Sequence, residues 1–156
     1  MTRHRNILLA VAFIAAVAAA PASAHFRHHH RALAVLSGTG SSFGDASATS
    51  SGSVVAGKLK GGSYDASLAT DWSAAKTRTF GDVTVSCAPS TGTLKLTNGT
   101  TTKNASLKGK TCSWTKSGET KYGFAGRDKS TQIAAVLGEK GTTVRGLAFR
   151  FFRHRR

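Results

Sequence analysis

The sequence predicts an all-β protein, an antiparallel barrel or a sandwich of about eight strands with one disulfide. Three observations support this fold class. Segments of alternating apolar and polar residues recur at intervals of roughly 8–12 residues. Glycine, serine and threonine make up about a third of the 156 residues. No segment after residue 24 has the 3.6-residue period of a long amphipathic helix. We prefer the barrel because closure leaves no exposed strand edge.

The first 24 residues have the three parts of a secretory signal peptide. A basic segment, residues 1–5, precedes an apolar run at 7–20, and Ala22-Ser23-Ala24 supplies the small residues of a cleavage site. The run is shorter than a membrane span needs, although an uncleaved anchor is the alternative. We therefore predict that the mature protein begins at His25, lacks a transmembrane span and is secreted to the extracellular space.

The mature chain divides into three predicted parts. Residues 25–52 are interpreted as a His-rich basic arm followed by a Gly/Ser-rich linker, because they offer little to bury. Residues 53–149 form the predicted β-barrel domain, and residues 150–156 form a basic tail. We expect a monomer.

Strand-like segments follow one another through the barrel domain. The first, residues 53–59, ends at Gly61-Gly62. A period of two then places one set of side chains on a common face: Tyr64, Ala66, Leu68, Thr70 and Trp72. Val83, Val85 and Cys87 repeat the period. Residues 93–97 lead into Asn98-Gly99, a strong signal for a type I′ hairpin turn, and residues 105–114 form the return strand. Three further strands are predicted at 120–125, 131–137 and 143–152, the last with Leu147, Phe149 and Phe151 in phase.

Cys87 and Cys112 are the two cysteines of the chain. In an exported protein a lone pair of cysteines predicts one intramolecular disulfide, with two free thiols as the alternative. The bond would close a loop of about 25 residues and stabilise the fold by roughly 3 kcal/mol.

Two elements of the chain carry a resemblance to known proteins. Cys87-Ala88-Pro89-Ser90-Thr91-Gly92 and Gly109-Lys110-Thr111-Cys112 resemble segments of small secreted actinobacterial proteins of unknown function, and the similarity extends over about residues 53–149. The tripeptide Phe124-Ala125-Gly126 resembles the glycine-rich strand turns of dirigent and allene-oxide-cyclase-like barrels. Neither resemblance implies an activity or a catalytic residue.

The His-rich arm contains the candidate metal ligands His25, His28, His29 and His30, since imidazole binds zinc, copper and nickel. An N-terminal His25 would chelate copper through its amine and ring, as in copper oxygenases that attack polysaccharides. That site needs another histidine from the folded body, and none occurs between residues 31 and 153. A solvated basic arm is therefore the simpler interpretation, and we predict no cofactor.

The formal charge of +15 indicates attraction to polyanions. The two terminal arms hold the candidate anion-binding residues Arg27, Arg31, Arg150, Arg153, Arg155 and Arg156. Outside the cell the candidate partners are anionic cell-wall polymers or lipid headgroups, with no specific nucleic acid, because no reading motif is present. The alternative interpretation is that the charge keeps an exported protein in solution.

No catalytic residue is predicted. The absence of histidine from the body excludes a Ser/His/Asp triad there, and no pair of the seven carboxylates has the arrangement of a glycosidase. Our leading hypothesis is therefore a secreted, non-enzymatic β protein that binds anionic cell-envelope polymers. The alternative is a small-molecule-binding or isomerase-like barrel with an apolar cavity lined by aromatic residues: Tyr64, Trp72, Trp114, Tyr122 and Phe124.

Overall fold

The computed structural model of the protein describes residues 32–151, which form nine antiparallel strands. The strands are β1 (Ala32–Gly40), β2 (Ser47–Ala56), β3 (Ser63–Thr70), β4 (Lys76–Phe80), β5 (Val83–Asn98), β6 (Thr101–Lys116), β7 (Glu119–Asp128), β8 (Ile133–Lys140) and β9 (Thr143–Arg150). A single 3₁₀ turn, Trp72–Ala74, lies between β3 and β4. The predicted signal peptide lies outside the described residues. Within residues 32–151, no helix is long and apolar enough to cross a membrane.

Eight of the strands close into a barrel, which confirms the predicted fold class and selects the barrel over the sandwich. The strand order is β3-β2-β1-β9-β8-β7-β6-β5, and pairing of β3 with β5 joins the two ends. Closure is possible because β5 is 16 residues long, so that one of its edges can pair with both β3 and β4. Its residues 90–97 pair with β3, whereas residues 83–87 pair with β4.

Alternate residues of each strand fill the barrel interior. On β3 the alternation is complete, with Tyr64, Ala66, Leu68 and Thr70 buried and their neighbours exposed, as predicted. Ile133, Ala135 and Leu137 of β8 also belong to the core. The largest fully buried side chains are Tyr64, Phe43 and Phe124. The interior of the described barrel is therefore filled by side chains rather than hollow.

The longest strands continue beyond the barrel as a four-stranded extension, here called the tongue. It consists of β4 with residues 83–87, 112–116 and 119–121 of the neighbouring strands. All five residues of β4 are exposed, and the sequence did not predict this strand. The predicted disulfide is confirmed: Cys87 and Cys112 are directly opposed on β5 and β6 with their Cα atoms 4.0 Å apart, at the base of the tongue.

The predicted arm-and-linker segment, residues 25–52, is wrong from residue 32 onward, because residues 32–52 contain β1 and most of β2. The inward positions of this segment hold residues such as Gly38, Ala48 and Gly52, so its period of two carries almost no hydrophobic signal. The small size is required by close packing: a Cβ atom at Gly38 would overlap the backbone carbonyl oxygen of Ser51. The barrel domain therefore begins at or before Ala32, not at residue 53.

Three further predictions are corrected in detail. Trp72 lies in the 3₁₀ turn rather than on β3. The hairpin between β5 and β6 is present, but Asn98 pairs with Thr101, so the two turn residues are Gly99 and Thr100. On β9 the inward residues are Val144, Gly146 and Ala148, so the in-phase residues Leu147 and Phe149 point outward. Small inward residues on β9 make room for larger ones, since a Cβ at Gly146 would overlap the Leu137 side chain.

Candidate functional site

The first and last described strands are neighbours in the barrel, and most residues of the two predicted basic arms lie outside the described range. Strand β1 pairs with β9 along its length, and Ala32 is opposite Phe149. The described chain thus starts and ends on neighbouring strands at one rim of the barrel. Of the six candidate arginines, Arg150 is described and lies exposed at the end of β9. Arg27, Arg31, Arg153, Arg155 and Arg156 lie outside the described residues.

The predicted metal ligands His25, His28, His29 and His30 also lie outside the described residues. Within residues 32–151, no three His, Cys, Asp or Glu side chains come together as a candidate metal site.

The five predicted cavity-lining aromatics do not line a common cavity. Tyr64 and Phe124 are buried in the filled interior. Trp72 and Tyr122 meet edge to face at the barrel end beside the tongue, with ring centroids 6.1 Å apart. Trp114 is half-buried on the outer face of the tongue, opposite Val85 and Lys121. None of these residues lines either of two depressions described below, so these depressions do not support the apolar-cavity prediction.

Those two depressions are open hollows in the barrel wall. One, of about 660 Å³, is lined mainly by hydroxyl-bearing and charged residues on β1, β2, β3 and β5, among them Thr39, Ser51, Asp65, Ser67 and Lys95. The other, of about 730 Å³, lies where β3 ends beside β5 and β6, and Thr70, Ser90 and Lys108 contribute to it.

A buried cluster of three hydroxyl groups adjoins the second hollow. The Ser90 Oγ atom lies 2.9 Å from Thr70 Oγ1 and 2.8 Å from Thr111 Oγ1, and it accepts the backbone N–H of Thr111 at 3.1 Å. The hydroxyl groups satisfy one another, as buried polar groups require. A serine nucleophile needs an adjacent base. Residues 32–151 contain no histidine, so no Ser/His pair forms at this cluster.

A second polar pair inside the barrel is less completely satisfied. The hydroxyl groups of Ser50 and Tyr64 are buried and neighbour each other, but neither makes a hydrogen bond of good geometry within the described residues. Burial raises the pKa of the Tyr64 phenol, because the charged form is poorly solvated there. The Tyr64 ring lies beneath Gly38, whose hydrogen side chain leaves space for the hydroxyl group.

One end of the barrel is closed by the loop between β1 and β2, residues 41–46. Phe43 of this loop is 1% exposed and belongs to the core. The Glu139 carboxylate holds the loop in place: it accepts the Phe43 backbone N–H at 2.7 Å and the Ser42 hydroxyl at 3.2 Å. Burial nevertheless raises the pKa of Glu139, since desolvation outweighs these two hydrogen bonds.

The outer wall of the barrel has two chemically different halves. On β2 and β3 the outward positions are mainly small and polar, for example Thr49, Ser51 and Ser67. On β8, β9 and β1 they include Val136, Leu147, Phe149 and Val35. The sequence analysis noted that Leu147, Phe149 and Phe151 share a phase but did not establish which face of β9 they lie on. The alternating Gly146 and Ala148 were the available signal, since small residues often occupy the inward positions of narrow barrels.

The described fold defines the chain as a disulfide-containing, closed eight-stranded antiparallel barrel. No protein-family model matches the sequence, and neither a search of curated proteins nor a search of solved structures finds a similar protein. The function therefore has to be inferred from the chain's own residues.

Proposed function

We propose that this protein is exported and binds anionic polymers of the cell envelope, without catalysis, through its two basic arms. The observation that carries the proposal is the pairing of β1 with β9, which puts Ala32 opposite Phe149. In the sequence, residues 25–31 directly precede β1 and residues 150–156 begin with the last residue of β9, and six arginines belong to these two segments.

The charge distribution supports this assignment. Arginine binds phosphate and sulfate groups with several donors in a fixed geometry, so clustered arginines favour polyanions over small ions. In the body, by contrast, Lys116 and Lys121 lie near acidic partners, at 3.4 Å from Asp82 and 3.7 Å from Glu119. Neither terminal arm contains an acidic residue. The disulfide fits an oxidising location, as expected of an exported chain.

Cosedimentation with purified cell wall tests the proposal. The mature chain should bind at low ionic strength and be released in about 0.5 M salt, where the Debye length is roughly 4–5 Å. A variant with Arg27, Arg31, Arg153 and Arg155 changed to Gln should bind at least about tenfold more weakly and with a shallower salt dependence.

The matched control removes the same number of charges from the body: Lys76→Gln, Lys95→Gln, Lys110→Gln and Lys140→Gln. All four lysines are exposed, so the fold should be kept. The control should bind nearly as well as the parent chain. Equal losses in the two variants would show that diffuse charge, not the arms, is responsible, and a lack of binding at low salt would reject the proposal altogether.

A further inference from the structure

Two neighbouring connections meet at the end of the barrel that lies away from the tongue. One is the loop between β2 and β3, residues 57–62, whose Leu59 side chain is buried and belongs to the core. The other is the tight turn between β5 and β6, where Gly99 and Thr100 are exposed. Asn98, the last residue of β5, links them, because its side-chain Nδ2 donates to the Lys60 backbone carbonyl oxygen at 3.1 Å. This hydrogen bond is here called the clamp.

The clamp lies at one end of the seam that closes the barrel. Pairing of β3 with β5 ends where Ser63 is opposite Thr97, and Asn98 is the next residue along β5. The two chains are close together here, since a Cβ atom on Gly62 would overlap the Thr97 carbonyl oxygen and lie 3.0 Å from the Asn98 Cβ. The clamp therefore attaches the loop 57–62 to the strand that closes the barrel.

Asn98 is followed by a glycine, and this order of residues favours a reaction of the asparagine side chain with the backbone. The deprotonated Gly99 nitrogen attacks the side-chain carbonyl carbon, a C–N bond forms, and the Nδ2 group leaves as ammonia, giving a five-membered succinimide. Water then opens either of the two ring C–N bonds and leaves an aspartate or an isoaspartate at position 98. The net change is the hydrolysis of one amide, with no oxidant or reductant.

We propose that Asn98 is a site of spontaneous deamidation and that its conversion releases the clamp. A carboxylate only accepts hydrogen bonds, so a carboxylate at position 98 faces the Lys60 carbonyl oxygen with no donor between them. The attraction across the clamp becomes a repulsion. Isoaspartate also inserts a methylene group into the backbone beside a two-residue turn, whose register places Asn98 opposite Thr101.

The fold leaves the reacting groups of the turn accessible. Gly99 is exposed and has a φ of 56°, a conformation that glycine adopts without steric cost. Apart from its chain neighbours, no heavy atom of the described residues lies within 4 Å of the place that a Gly99 Cβ would occupy. The clamp itself is at the surface, where hydrogen bonds open locally at a small cost in free energy.

Asn104 provides an internal comparison on the same hairpin. It is exposed on β6, but the residue after it is Ala105, which is buried in the core and paired with Leu94. Succinimide formation at Asn104 would have to distort the interior of a paired strand and displace a core residue. Asn104 should therefore react much more slowly than Asn98.

Incubation of the folded mature chain at about pH 8, followed by peptide mapping, tests the site. Trypsin cleavage after Lys95 and Lys103 puts the two asparagines in separate peptides. The Asn98 peptide should gain the mass of an amide-to-acid conversion at least about tenfold faster than the Asn104 peptide, because glycine leaves the attacking nitrogen unhindered. Asn98→Gln keeps an amide donor but needs a six-membered ring, so it should suppress the conversion.

Hydrogen exchange tests the release of the clamp. The amide protons of Leu59, Gly61 and Gly62 are the readout, since each donates to a backbone carbonyl oxygen in or beside the loop. They should exchange about fivefold faster in Asn98→Asp than in the parent chain, the effect expected from losing one hydrogen bond. Asn104→Asp is the matched control, because it adds the same charge at an exposed position of the same hairpin, and it should leave these rates unchanged.

The outcomes test the two parts of the proposal separately. Equal conversion of the two asparagines, or conversion of Asn98 only in a urea-unfolded sample, would overturn the deamidation site. If Asn98 is converted but Asn98→Asp and Asn104→Asp exchange their loop amides alike, the release of the clamp is overturned. None of these readouts involves an anionic polymer, so they are independent of the proposed function.

Discussion

Two buried carboxylates contribute to the fold with opposite dependence on pH. Asp128, at the end of β7, accepts the Ser106 backbone N–H at 2.9 Å and both the hydroxyl and N–H groups of Ser130. These donors hold the pKa of Asp128 well below its usual range. The charged form is favoured on folding, so the contribution to stability is present above the ordinary aspartate pKa and lost at more acid pH.

Glu139 behaves in the opposite way, which leads to a prediction. Its pKa in the folded chain lies above the ordinary value of 4.5, chiefly because burial penalises the charge and also because Asp45 is nearby. The folded state therefore binds a proton more tightly than the unfolded state, and stability falls as the pH rises from 4.5 through the folded pKa. Glu139→Gln removes the charge but keeps an acceptor for the Phe43 N–H, so it should stabilise the fold at pH 7.

Urea unfolding between pH 4 and pH 8 measures this effect. The gain from Glu139→Gln should be largest at the upper end of the range and shrink as the native carboxylate becomes protonated. Glu119→Gln is the control, since Glu119 is exposed and only 3.7 Å from Lys121 at the surface. A variant that is less stable than the parent chain at pH 7 would show that the hydrogen bonds outweigh the desolvation cost.

At the level of elements, the disulfide fixes the two strands from which the tongue extends. Cys87 and Cys112 are opposed at the point where β5 exchanges β3 for β4 as its partner. Replacing both cysteines by serine should lower the free energy of unfolding by about 3 kcal/mol, the chain-entropy value for a loop of this length. Amide protons of β4 should also exchange faster in the double serine variant than in the parent chain, because this strand pairs with β5 alone.

Chemical denaturation with and without a reducing agent checks the disulfide prediction. Reduction should destabilise the parent chain to the level of the double serine variant and should leave that variant unaffected. A loss of less than about 1 kcal/mol in the double variant would mean that hairpin contacts in the unfolded chain already hold β5 and β6 together.

The sequence predicted elements well where apolar and polar residues alternate with a large difference in size. Tyr64, Leu68 and their neighbours on β3 are of this kind, as are Ile133 and Leu137 on β8. Prediction failed where the inward side chains are small. Gly38 and Gly52 left β1 and β2 without a hydrophobic pattern, and the small inward residues Gly146 and Ala148 left only the outward Leu147 and Phe149 visible in the pattern of β9. Hydrophobic periodicity reports size and polarity, but it does not report which face is inside.

Local sequence patterns also failed to predict the arrangement of the candidate site. The arginines of the arms are visible in the composition, but their common origin depends on the pairing of β1 with β9, which joins residues more than a hundred positions apart. The aromatic residues can be identified in the sequence. The sequence does not show that they are divided among the barrel interior, the barrel end and the tongue. Long-range pairing of this kind is decided by closure of the whole barrel, which no local pattern encodes.

At the scale of the whole molecule, closure makes β1 and β2 indispensable, and this gives the last prediction. A chain of residues 32–151 contains every strand of the barrel and should fold cooperatively. A chain of residues 53–151 lacks β1 and most of β2, so β9 and most of β3 lose a partner and the core loses Leu36, Phe43 and Ala48. We expect the shorter chain to lack the near-ultraviolet circular dichroism of packed aromatic residues and to unfold without a sharp transition. A cooperative thermal transition in the 53–151 chain would show that the barrel closes without its first two strands, since β3 and β9 would then have to pair directly.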